Sequence, residues 1–316
     1  MEETRARIPP VSGWFSYRGT LARPASLMGR GLHTGRACKV TLLPAQPGHG
    51  VIFRRLDKNR APVSVPAALD LRISQPLCTA LKSREGPVVR TTEHLLAALR
   101  ACGIDDVLVD MTSEELPILD GSAQPWITAL CDAGRQESTE PQRFIEVLQR
   151  VEWAQGPHQL SIEPCTDPGL ELDVTMTMKD LGRWHWQGML TPALFREEIA
   201  AARSFGRLKL AIPAMLYGWA KGIPILRGAG PWCAATIIGR KVIGGTRMPD
   251  EFVRHKLVDM LGDFALLGAP LLAKVTALRP THDGNFHLME ALIKDNTAWR
   301  LVEIDTAQTF GPASLA

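Results

Sequence analysis

The sequence predicts an α+β fold of two similar domains, each a β-sheet layered with two helices, packed helix layer to helix layer. Three observations predict it. Hydrophobic patterning runs strands, helix, strand, helix through residues 1–137 and resumes with the same rhythm through 138–316. A polar stretch, "GRQESTEPQ", separates the halves. The segment 181–249, rich in Gly, Pro and Trp, exceeds this plan and reads as an insertion in the second domain.

The elements follow in order. "KVTLLPA" and "GVIFRRL" read as strands, the second entering from the turn "PGHG". "TTEHLLAALRACG" reads as a helix: Thr91 can cap it, Leu95, Leu96 and Leu99 form its apolar face, and Gly103 can end it. "DDVLVDM" is a strand, and "SAQPWITALCDAG" a second helix closed by Gly134. In the second half, "FIEVLQRVEW", "HQLSIEP" and "LELDVTMTM" read as strands. "PDEFVRHKLVDMLGDFALLG" is a helix, "LLAKVTALRP" a strand and "NFHLMEALIKD" a final helix.

A chain of 316 residues suits two domains, each with its own core. Hydrophobic content of 45% and charged content of 22% describe a globular protein. A net charge of +3 is too small to argue for nucleic acid or for an anionic membrane surface, and no basic, aromatic-studded strand run appears, but it allows a local basic pocket for a phosphorylated small molecule. No apolar run approaches the roughly 18 residues of a membrane span. The opening "MEETRARIPPVSGWFSYRG" lacks the apolar centre of a signal peptide, so a cytoplasmic protein is expected. Cys38, Cys78, Cys102, Cys131, Cys165 and Cys233 form no CxxC pair and read as reduced thiols, mostly packed as small apolar groups.

The helix "EFVRHKLVDMLGDFALLG" carries His255, Asp259 and Asp263 four residues apart, on one face. A solvated stripe is the bland explanation, because most charged helix positions face water. The matching helix of the first half carries Glu93 and His94 near its start. If the helical layers face each other, these groups converge where burial is costly unless they pair or bind a cation. Two imidazoles and one carboxylate suit a tetrahedral zinc whose fourth position holds water. His255 and Asp259, at i and i+4, can chelate from one helix, leaving His94 to close the site. Glu93 could then take a proton from the water that the metal activates. On spacing alone both explanations stay open.

The segments "GRGLHTG", "TTEHLLAAL", "PILDGSAQPW" and "DEFVRHKLVDMLGD", followed by "THDGN", carry a further signal. With them, in order between Thr20 and Lys294, the chain resembles the UDP-3-O-acyl-N-acetylglucosamine deacetylase family. The resemblance implies a zinc-dependent amide hydrolase, acting on an acylated UDP-amino sugar at the committed step of lipid A synthesis. It implies His94, His255 and Asp259 as zinc ligands and Glu93 as general base. It implies His282 as the charged histidine that stabilises the oxyanion and protonates the leaving amine, with Asp263 orienting it. Lys256 matches a lysine that contacts the sugar nucleotide, and Phe205 an aromatic that lines the substrate site. Ser204 stands where the family usually has threonine, and either hydroxyl can donate to the oxyanion. Arg143 sits near a lysine that meets the nucleotide phosphates. His33 reads as a turn residue. Asp120 reads either as the cap of the helix beginning there or as an outer support of the metal shell, the cap being favoured. A monomer is expected.

The chain also departs from the family. "ARSFGRLKLA" carries Arg207 and Lys209 where an acidic residue is usual, and "GIPILRGAGPWCAATIIG" replaces the segment that builds the acyl-chain passage. The departure bears on the acyl chain and the sugar more than on hydrolysis. Two alternatives follow: a diverged paralogue deacetylating another amino-sugar amide, and a zinc-containing sugar-nucleotide binding protein without turnover. The second is disfavoured, because structural zinc sites usually fill four protein ligands and only three are found here.

Overall fold

The structure, a computed structural model, describes residues 6–56, 61–83 and 86–309; Met1–Arg5 of the opening stretch lie outside them. The chain is mixed α+β. In the first half a five-stranded sheet runs in the order Ala25–Arg30, Ala37–Pro44, Val107–Met111, Val51–Arg55, Val63–Pro66. Its strands alternate, so that Cys38, Val40 and Leu42 point into the core while their neighbours face outward. Helices α1 (Glu93–Ala101) and α2 (Gln124–Ala133) pack on each other, and α2 also packs on the strand Ala25–Arg30. Gly134, at φ 76°, closes α2 as expected.

The second half, joined by Ala6–Ile8 from the start of the chain, builds an eight-stranded sheet. Its path runs Ala6–Ile8, Trp299–Ile304, Arg143–Val147, Leu271–Leu278, His158–Glu163, Val151–Gln155; Leu170–Met178 also pairs with Leu271–Leu278, and Gly182–Leu190 pairs with Leu170–Met178. Within the second half, after Gly182–Leu190, comes α3 (Leu208–Lys221); α4 (Glu251–Phe264) and α5 (His282–Lys294) complete the helices named here. α4 packs against α1, against α5 and against the strand Leu170–Met178.

The approach of α4 to α1 is unusually close at one point. A Cβ on Gly262 would stand 2.0 Å from the Glu93 main-chain oxygen, so only glycine lets these backbones meet. Every residue of α1 except Arg100 is buried, since α1 shares a core with Phe53, Val107 and Val109 of the first sheet and packs against α4.

Several expectations need correction. "GRQESTEPQ" contains a strand, Arg135–Pro141, antiparallel to Tyr17–Leu21. Its polar residues are tolerated because the two-stranded ribbon leaves much of it exposed. "FIEVLQRVEW" is two strands, Arg143–Val147 and Val151–Gln155, at different places in the sheet. Gly182–Leu190 is a full strand paired along Leu170–Met178, so the excess segment begins after it. Thr91 does not cap α1: it sits at φ 59°, and its hydroxyl donates to buried Glu115 at 2.9 Å. Asp120 does not cap α2 either. Its Oδ1 accepts from the Ser122 backbone and hydroxyl, and its Oδ2 lies 2.8 Å from Arg247, while α2 begins from Ala123. The final helix starts at His282, three residues before the quoted run, where the Thr281 hydroxyl accepts from the Gly284 N–H at 3.0 Å. The six cysteines are free, and four are buried.

Candidate active site

Three helices bring the site together. α1 begins with Glu93 and His94; α4 presents His255, Asp259 and Asp263 at successive turns; α5 begins with His282. The four-residue spacing does what it implied. Because the stripe faces α1 and α5 rather than water, all three of its members are buried.

His94, His255 and Asp259 offer one ligand atom each, all within 4.8 Å of one another. The imidazoles meet edge to face, with ring centroids 5.2 Å apart. His255 Nε2 lies 3.3 Å and His94 Nε2 4.0 Å from Asp259 Oδ1. The tautomer of His255 follows from its partners. Its Nδ1–H donates to the Ala202 carbonyl at 3.1 Å, which leaves the Nε2 lone pair facing the cluster. In this structure that lone pair accepts from the Ser204 hydroxyl at 3.1 Å.

Electrostatics prepares the same three groups. Burial, with help from His255, lowers the His94 imidazole to about 3, and burial also lowers His255. Burial alone would raise Asp259, but Lys256, His255, His282 and His94 hold it far below the ordinary carboxylate range. Two neutral imidazoles and an anionic carboxylate are the deprotonated donor set a divalent cation needs. The residues present therefore fit a metal ion.

Two further groups flank the triad. Glu93 is buried and accepts at Oε2 from the Thr79 N–H at 3.0 Å. Burial raises its carboxyl to about 8, Asp259 and Asp263 adding to the rise against His282. His282 Nδ1 lies 2.9 Å from Asp263 Oδ2, and its Nε2 lies 4.0 Å from Asp259 Oδ2. Burial would lower this imidazole, yet Asp263, Asp259 and Glu93 outweigh it and raise it to about 9. Asp263 is itself fixed by Asn285 Nδ2 at 2.7 Å and by the Thr79 hydroxyl.

Of the other sequence candidates, Lys256 and Phe205 join the cluster. Lys256 Nζ is 2.8 Å from Asp259 Oδ2 and 5.4 Å above the Phe205 ring, which in turn meets His255 edge-on. Arg143 stands apart, on the strand Arg143–Val147, 3.5 Å from Glu303 on the neighbouring strand. His33 sits in a tight turn whose backbone N–H groups at His33 and Thr34 both donate to Glu115 at 2.7 Å. Thr79 and Asn285 escaped sequence reasoning. Neither "PLCTALK" nor "THDGNF" marks them by charge or ligand spacing, although Asn285, three residues beyond His282, lies on the same face of its helix.

A paired imidazole–carboxylate donor set, with a buried acid and a carboxylate-held imidazolium beside it, defines a metal-assisted hydrolase. Comparison with known proteins specifies the kind. The profile of the UDP-3-O-acyl N-acetylglycosamine deacetylases matches residues 18–294. A UDP-3-O-acyl-N-acetylglucosamine deacetylase of Syntrophotalea carbinolica is 34% identical over 302 residues, covering 95% of each chain. Those of Myxococcus xanthus and Stenotrophomonas maltophilia are also 34% identical, over 90% and 94% of this chain and 88% and 97% of theirs. The chain belongs to the UDP-3-O-acyl N-acetylglycosamine deacetylase family and is an enzyme of the deacetylase type.

Proposed function

We propose that this protein hydrolyses the N-acetyl amide of UDP-3-O-acyl-N-acetylglucosamine, releasing acetate and the free amine, as a zinc-dependent step of lipid A synthesis in the cytoplasm. One observation carries the proposal. His94, His255 and Asp259 converge at one buried point, with Glu93 and the Asp263-held His282 beside them.

His94, His255 and Asp259 would hold the zinc. Bound there, zinc would supply a Lewis acid for the amide carbonyl and for a water, and its positive charge would favour the ionised form of Glu93. Glu93, steadied at one oxygen by Thr79, accepts the proton of the attacking water at its other oxygen. His282, its Nδ1 turned to Asp263, directs Nε2–H at the oxyanion that develops on the carbonyl and then gives that proton to the departing amine nitrogen. Ser204 donates its hydroxyl to the same oxyanion once His255 Nε2 is engaged. Lys256 meets the diphosphate and Phe205 lines the sugar pocket. Arg143, beside Glu303, is taken as the contact to the nucleotide phosphates.

The same reading divides the chain into domains at 1–137 and 138–316, each a sheet with a two-helix layer, the layers facing each other through α1 and α4. It takes the acylated UDP-amino sugar as the partner, with neither nucleic acid nor a transmembrane segment, and a monomer as the working unit.

The test is incubation of the purified, zinc-loaded protein with UDP-3-O-acyl-N-acetylglucosamine, following acetate and free amine together. Stoichiometric appearance of both is expected. Zinc binding without acetate release at any acyl length would remove the hydrolytic assignment and leave a binding protein.

A further inference from the structure

The segment between Ile199 and Pro249 holds eight Lys or Arg residues and no Asp or Glu. The chain's net +3 therefore leaves −5 for everything else. Arg203 and Arg247 are matched by Glu251 and Asp120 from outside the segment. Arg207, Lys209, Lys221, Arg227, Arg240 and Lys241 have no carboxylate partner among the described residues.

Among the described residues, the same segment carries the largest exposed apolar side chains, Trp219 and Trp232. α3 is inverted relative to an ordinary surface helix. Its inward positions are Ala211, Ala214 and Gly218, at i, i+3 and i+7, against Leu32, Ile118, Ile225 and Leu226. A Cβ on Gly218 would come within 2.9 Å of Ile225 Cβ, so the small face must point inward. The bulky residues are thereby forced out: Leu210 is 63%, Leu216 62% and Trp219 81% exposed, with Trp232 at 69% close by in sequence. The hairpin Ala235–Val242, which packs on α3, adds exposed Ile238, Arg240 and Lys241.

We propose that this face docks on an anionic phospholipid bilayer. A helix of 14 residues is about 21 Å long, too short for a hydrocarbon core of about 30 Å but suited to lying in the interface. No helix among the described residues is long and apolar enough to cross a membrane. Exposed tryptophans and a tyrosine, Tyr217, on an apolar face ringed by cations are the side chains that settle at headgroup level. A second copy covering this face would set its cations against an identical set, which charge opposes. A bilayer of anionic headgroups satisfies the apolar face and the cations together. The strand Phe205–Arg207 leads straight into α3, so docking would hold the mouth of the site near the lipid surface.

The test is co-sedimentation of the full-length protein with vesicles of phosphatidylethanolamine and phosphatidylglycerol, or of phosphatidylcholine alone, at low and high salt. Binding to the anionic vesicles, weakened by salt, is expected. Lys209→Gln with Lys221→Gln should weaken it about fivefold per cation, and Leu216→Glu with Trp219→Glu should abolish it, both without altering the far-ultraviolet circular dichroism. A folded wild type that stays in the supernatant overturns the proposal, and so does binding that neither pair of substitutions changes. A dimer in sedimentation velocity that Leu216→Glu with Trp219→Glu dissolves, without vesicle binding, gives the face to a second copy instead. The readout is vesicle binding alone, so it stands or falls independently of the catalytic reading.

Discussion

Replacing Gly262 by alanine should loosen the metal site without touching any ligand. The added Cβ would lie 2.0 Å from the Glu93 oxygen, 2.6 Å from its carbonyl carbon and 2.8 Å from its Cα, where ordinary contact begins at 3.4 Å. The obstructing atoms are backbone and cannot swing aside, so α1 and α4 must part by more than an ångström. His94 travels with α1, whereas His255 and Asp259 travel with α4, and metal–ligand distances tolerate only about 0.2 Å. Zinc affinity should fall about 10–100-fold, the scale on which mispositioned ligands act. Two opposing terms set stability. Overpacking costs about 1–3 kcal/mol, while alanine in a helix interior gains about 1 kcal/mol over glycine. The clash should win or draw, giving a destabilisation between about 0 and 2 kcal/mol. Competition with a chromophoric chelator measures the first quantity, and urea unfolding of the metal-free protein the second. A variant that binds zinc like the wild type and gains about 1 kcal/mol would refute the argument, because propensity would then be the whole effect.

His94→Ala, His255→Ala and Asp259→Ala should each lower zinc content by elemental analysis; full occupancy in all three would sink the ligand assignment. Glu93→Ala should keep zinc yet lose about 10²–10⁴-fold in turnover, together with the acidic limb of the pH–rate profile. An unchanged acidic limb assigns the base elsewhere. His282 is held at about 9, above its ordinary 6.5, so its cation is fully present below 6.5 and is lost as pH rises through about 9. Activity should fall over that upper window, and Asp263→Asn should move the fall to lower pH with zinc unchanged; a basic limb that ignores Asp263→Asn separates it from His282.

The parts of the site that depend on one helix were legible in the sequence. His255, Asp259 and Asp263 declare themselves through helical spacing, and a polar stripe on an otherwise apolar helix asks for a partner. What needed the structure was everything set by pairing distant in sequence. Thr79 ties Glu93, Asp263 and His282 together from a loop with no pattern of its own. Arg135–Pro141 looked like a linker because its partner, Tyr17–Leu21, lies more than a hundred residues earlier and leaves it half solvated. Thr91 looked like a cap because its residue type suits one, but the demand of buried Glu115 for donors takes its hydroxyl first. The insertion was recognised by composition, yet its start was misplaced. Gly182–Leu190 carries Trp and Gly as the segment after it does, and only its register with Leu170–Met178 assigns it to the sheet.

The parallel pairing of Ala6–Ile8 with Val302–Ile304 sets a schedule for synthesis. Close to 300 residues separate the partners, which at about 5–20 residues per second is a wait of about 15–60 s on the ribosome. For that whole interval the early strand has no edge to join. The strand Arg143–Val147 likewise presents an unpaired flank until Trp299–Ile304 emerges. The five-stranded sheet, by contrast, has every strand in hand once Met111 has left the tunnel, and its two helices once Ala133 has. One half can therefore fold during translation, while the other must be closed by the last strand made.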